Sequence, residues 1–165
     1  MSMNKTKKMT TIALLFALAM VLSFVEGMIT PLFALPPGVK LGLANIVVMY
    51  CMVYMGFGSA MQVSLLKAFF VFLTRGAGFL SLLGGTFSII IMFLLIKVFK
   101  DKINYYTLSV FGALFHNIGQ LCGASIIFSN TAPMAYLPIL SVSAVIMGLV
   151  TGATLKVVIP ALKRL

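Results

Sequence analysis

Residues 80–102 read LSLLGGTFSIIIMFLLIKVFKDK. From Leu80 to Phe99 the stretch holds one basic residue, Lys97, and no acid, and the basic loop Lys100 to Lys102 closes it. About 20 mostly apolar residues wound as an α-helix cross the ~30 Å hydrocarbon core of a bilayer. This stretch therefore predicts a transmembrane helix, and the same reading extends in both directions along the chain.

Toward the N-terminus, apolar segments run from Ser59 to Thr74, from Leu41 to Met55 and from Met9 to Ile29. Toward the C-terminus they run from Tyr105 to Phe128 and from Tyr136 to Ile159. Helix breakers separate them: PLFALPPGVK at Pro31 to Lys40, Gly56 and Gly58, RGAGF at Arg75 to Phe79, and SNTAP at Ser129 to Pro133. The second segment is short for a span. Lys5, Lys7 and Lys8 ahead of an apolar run resemble a signal peptide, but the run to Val25 is longer than such a region and no small-x-small cleavage site precedes Glu26. The expected reading is a retained first helix.

The whole chain has this character. Of 165 residues, 62% are hydrophobic and 8% are charged, where a soluble domain carries roughly 25% charged residues. The expected architecture is an all-α integral membrane bundle of six transmembrane helices. Residues 1–8 form a basic N-terminus, 9–160 the transmembrane domain, and 161–165 a basic tail that begins after Pro160.

Charge is one-sided, with twelve Lys and Arg against two acids, Glu26 and Asp101. With six spans, alternate loops share a side. One side collects Lys5, Lys7, Lys8, Lys97, Lys100, Lys102, Lys163 and Arg164; the other has Lys40 and Arg75. Basic residues concentrate on the cytoplasmic side, so both termini are expected there, in a cell membrane. No basic face runs along a helix, which argues against nucleic-acid binding. Cys51 and Cys122 each sit in an apolar run without a CxxC partner and read as small buried hydrophobes, not as a disulfide or metal pair.

Polar groups at membrane depth are expensive and mark candidate function. Glu26 lies near the outer end of the first helix, and Lys40 and Asn45 flank the start of the second. Lys67 is near mid-span in the third, and Arg75, just over two turns further, lies near the same face. The fifth segment carries FGALFHNIGQLCGA, in which His116 and Gln120 share a face, Asn117 lies about 100° away, and Gly112, Gly119 and Gly123 thin the helix. Lys40, Lys67, Arg75 and His116, with Glu26 as the nearby acid, suit an anionic or polar ligand. Small residues spaced by four, Ala13 and Ala17, Gly119 and Gly123, Gly148 and Gly152, suit close helix contacts within the bundle or with a partner. Two acids cannot build a two-metal diphosphate site, and no Walker A, GxSxG or HExxH motif is present, so neither ATP hydrolysis nor a bound metal or cofactor is expected.

The segments LGLANIVVMY (41–50), LLKAFFVFLTRG (65–76), SLLGGTFSI (81–89) and GALFHNIGQL (112–121) resemble the Gx transporter family, also labelled heptaprenyl diphosphate synthase component I. The resemblance implies a fold like the substrate-binding S components of energy-coupling factor transporters, six helices with cytoplasmic termini. It also implies an outward-facing small-molecule site, for a vitamin, flavin, quinone or isoprenoid precursor, and a gating role for the segment Pro31 to Lys40. Ala13 and Ala17 match an AxxxA pattern that docks a membrane coupling subunit, which works with separate ATPase subunits. The family's second label implies the alternative role, a non-catalytic membrane component of heptaprenyl diphosphate synthesis.

Overall fold

The computed structural model describes residues 5–30 and 42–162. The expected gate segment, Lys40 included, and the tail residues Lys163 and Arg164 lie outside the described residues. Six α-helices follow one another: α1 (Lys5–Ile29), α2 (Leu43–Tyr54), α3 (Phe57–Arg75), α4 (Gly78–Phe99), α5 (Tyr105–Phe128) and α6 (Leu137–Leu162). Short 3₁₀ turns at Lys100–Lys102 and Ala132–Tyr136 lead into the last two. The helices break where local chemistry predicts. Gly76 takes the left-handed conformation that ends α3, and the Asn104 side chain accepts the Thr107 N–H at 2.7 Å to start α5.

Among the described residues, five helical stretches are long and apolar enough to cross a membrane. The second helix differs. Its 12 residues rise about 18 Å at 1.5 Å each, well short of a bilayer core. Eight of those residues are buried, so its all-round hydrophobicity reflects enclosure by other helices. It nonetheless runs from one end of the bundle toward the other: Gly42 bonds to Glu26 near the end of α1, and the Tyr54 hydroxyl meets that of Tyr105 at the start of α5, 2.9 Å away. Two boundaries also differ from expectation. The first helix begins at Lys5, ahead of Met9, with the Thr10 and Thr11 hydroxyls donating to the carbonyls of Thr6 and Lys7. Pro160 does not end the last helix but lies inside it. There it withholds one N–H, that which would bond to the Lys156 carbonyl, and the helix runs only two residues further.

The bundle has an apolar core, but unlike a soluble protein it also has an apolar surface and buries several polar groups. Phe69, Phe72, Leu73, Val98, Phe128, Val142 and Val157 lie exposed on its surface, while Glu26, Lys67, His116, Gln120 and a set of serines are buried. Only a lipid surround rewards that arrangement.

Close helix contacts hold the polar interior together. A Cβ on Gly119 would stand 2.6 Å from the Leu83 carbonyl oxygen and 2.9 Å from the Gly84 Cα, so α4 and α5 touch backbone to backbone. A Cβ on Gly148 would lie 2.7 Å from the Val110 Cα, giving α5 and α6 the same intimacy. The small-residue pairs of α5 and α6 are therefore spent on contacts within the chain. Gly119→Leu should push α4 from α5 and cost about 1–3 kcal/mol, read as a lower melting temperature of detergent-purified protein. Gly58→Ala, where an added Cβ meets nothing within 4 Å, should leave that temperature unchanged.

Candidate functional site

The site is built around Lys67. It is the eleventh residue of the 19-residue α3, midway along a membrane helix, and only 4% exposed. An ammonium there cannot reach water by stretching along the helix, so another helix has to supply a partner. Its Nζ donates to the Asn45 Oδ1 of α2 at 2.7 Å. Asn45 is held in place because α2 begins beside it, at Gly42. The Gly42 backbone N–H donates to the buried Glu26 carboxylate of α1 at 2.6 Å, with Gly42 itself in the left-handed region. Three helices thus converge on one polar point.

Two small cavities flank that point, and Asn45, Lys67 and His116 line both. The first, about 30 Å³, is completed by Ser23, Glu26, Arg75 and Ser81. The Arg75 Nη2 donates to the Ser23 carbonyl oxygen, and its guanidinium lies against Gly27, where any Cβ would collide with it. The second cavity, about 40 Å³, reaches deeper into the bundle. Its walls combine hydroxyls and small residues, Ser64, Ser88, Ser109, Gly112 and Thr151, with the apolar Val48, Met49, Met92 and Met147. Ser109 donates to Thr151 Oγ1 at 2.9 Å. Asn117 lies at its edge and donates to the Leu140 carbonyl of α6 at 2.9 Å.

Of the residues singled out by sequence, Glu26, Asn45, Lys67, Arg75 and His116 come together around the 30 Å³ cavity. Asn117 joins the other side. Gln120 does not join either: one turn beyond His116, it lines a separate groove. Ala13 and Ala17 lie on the exposed face of α1, while Ala19 is fully buried. The sequence reading missed the serines. Ser81 and Ser88 lie two turns apart on one face of α4 with Gly85 between them, and that pair of serines in a largely apolar helix was the available signal.

The first cavity brings two basic side chains, Lys67 and Arg75, against one carboxylate, Glu26. With all three ionised, one positive charge is left over. The spaces are also small, since one water needs about 10–15 Å³ by the same measure and ligand pockets usually exceed 300 Å³. In this conformation they accommodate a compact polar or anionic group. Among the described residues no three His, Cys, Asp or Glu side chains gather as metal ligands would.

The chain belongs to the heptaprenyl diphosphate synthase component I family, whose model matches residues 15–158. No curated protein and no solved structure matches it.

A double-mutant cycle tests the Lys67–Asn45 pair. Asn45→Leu should destabilise the purified protein by about 1–3 kcal/mol, because it takes the Asn45 Oδ1 acceptor away from a buried ammonium. Adding Lys67→Met should restore most of that loss, since no charge then needs a partner. Thermal melts of the two single variants and the double variant read the coupling directly.

Proposed function

We propose that this member of the heptaprenyl diphosphate synthase component I family is a substrate-capturing membrane subunit for uptake of a small anionic solute. The observation that carries the reading is the buried Lys67, which lines one cavity with Arg75 and with Glu26, the one acidic side chain there among the described residues. A buried surplus of positive charge is costly to maintain, and a ligand carboxylate or phosphate offsets it. Lys67 and Arg75 supply the attraction, and Asn45, His116 and Asn117 orient the solute's polar edges. The Glu26–Gly42 bond fixes the start of α2, and with it Asn45.

The subunit carries no machinery for ATP hydrolysis, so transport depends on coupling and ATPase partners. Ala13 and Ala17, small and exposed on α1, suit close approach by a partner helix. The loop charges orient both termini to the cytoplasm, which turns the Glu26 and Arg75 end outward.

The family's name favours a second reading, in which the chain is the membrane component of a two-part prenyl diphosphate synthase. The partner separates the two. Tagged protein purified from its native membranes should retain a membrane coupling protein and ATPases, and Ala13→Leu/Ala17→Leu should release them without lowering the melting temperature. Recovery of a soluble prenyl synthase with no ATPase would favour the second reading.

Orientation is tested separately. With Cys51 and Cys122 replaced by alanine, a cysteine placed at Asn130 should react with an impermeant maleimide on intact cells. One placed at Lys102 should react only after the membrane is opened. The reverse pattern would turn the proposed site inward.

A further inference from the structure

At the other end of the bundle from Glu26 and Arg75, a pocket of about 560 Å³ opens where α2 and α4 end and α5 begins. It shares no lining residue with the cavities at Lys67 or with the groove at Gln120. Val53, Ile96, Ile103 and Leu108 give it an apolar wall, and Lys100, Asn104 and Tyr105 supply its polar groups. The Tyr105 hydroxyl is already bonded to that of Tyr54, which leaves Lys100 and Asn104 to meet a ligand. Both side chains are exposed.

Asn104 caps α5. Its Oδ1 accepts the Thr107 N–H at 2.7 Å, which fixes the carboxamide and leaves Nδ2 as a donor. Lys100 stands at φ 48°, ψ −128°, a backbone conformation that suits glycine and strains a residue with a Cβ. A lysine at a position that favours glycine points to a use for its side chain. Residues 97–102 carry three lysines, Lys97, Lys100 and Lys102, against Asp101. Among the described residues no acidic side chain lines the pocket.

A cation and an amide donor beside an apolar wall, at the end of membrane helices, match an amphiphile with a phosphate head and a hydrocarbon tail. Net positive surroundings favour a head of net negative charge over a zwitterion, whose own cation they repel. We propose that the pocket binds an anionic phospholipid. A phosphate oxygen accepts from Lys100 Nζ and Asn104 Nδ2, and an acyl chain lies against Val53, Ile96, Ile103 and Leu108.

Native mass spectrometry of detergent-purified protein tests this, with titration by phosphatidylglycerol or by phosphatidylcholine of identical chains. Wild-type protein should bind phosphatidylglycerol about tenfold more tightly than phosphatidylcholine. Lys100→Gly should erase that preference yet melt no lower than wild type, because glycine relieves the backbone. Asn104→Asp keeps the cap acceptor but replaces the donor with a negative charge, and should also erase the preference. Lys97→Ala removes a charge that does not line the pocket, and should change phosphatidylglycerol binding by less than about twofold. Equal binding of the two lipids by wild type, or equal losses in Lys97→Ala and Lys100→Gly, would overturn the proposal. So would displacement of bound phosphatidylglycerol by equimolar farnesyl diphosphate, which would give the pocket to a prenyl diphosphate instead.

Discussion

A lysine ammonium halfway along a membrane helix must be met by polar groups from other helices, and much of this bundle is arranged around that demand. Lys67 finds the Asn45 carboxamide, 2.7 Å away on α2. Asn45 can be there because α2 starts one turn earlier, where Gly42 is bonded to Glu26 on α1. Arg75, two turns beyond Lys67, reaches back to the Ser23 carbonyl on α1 and needs the bare surface of Gly27 to lie against. The polar contacts among α1, α2 and α3 thus form a chain of dependence that begins with one buried charge.

The remaining three helices contribute differently. Glycines at 84, 119 and 148 bring α4, α5 and α6 into backbone contact, and that closeness aims His116 and the serines of α4 at the Lys67 point. Tight packing also explains why the enclosed space is so small. Between α4, α5 and the start of α6, at the end that carries Glu26 and Arg75, a larger groove opens. The protein therefore offers two chemically opposite spaces at one end of the bundle: a confined cationic centre and an open, uncharged, apolar groove.

Much of this architecture was legible in the sequence, and the limits are physical. Pro31 to Lys40, Gly56, Gly76 and Ser129 interrupt apolar runs, and turn chemistry acts locally, so the helix order could be read directly. The burial of α2 could not, because a hydropathy pattern does not distinguish a helix surrounded by protein from one surrounded by lipid. The cost of intramembrane charge pointed to Glu26, Lys67 and Arg75. Their convergence, and the part played by Ser64, Ser88 and Thr151, depends on helix rotation, which spacing leaves undetermined. The same ignorance of rotation grouped Gln120 with His116: they share a helix face, yet one turn separates two different spaces. Pro160 misled because its effect depends on how near a helix end it falls.

If the surplus charge at Lys67 exists to hold an anion, the protein should carry one out of its own membrane. Native mass spectrometry of the chain purified from native membranes tests this most directly. The account predicts a bound small anionic molecule on the wild-type protein and its loss from a folded Lys67→Met variant. A wild-type protein that retains no such molecule, or a variant that retains the same mass, would contradict it.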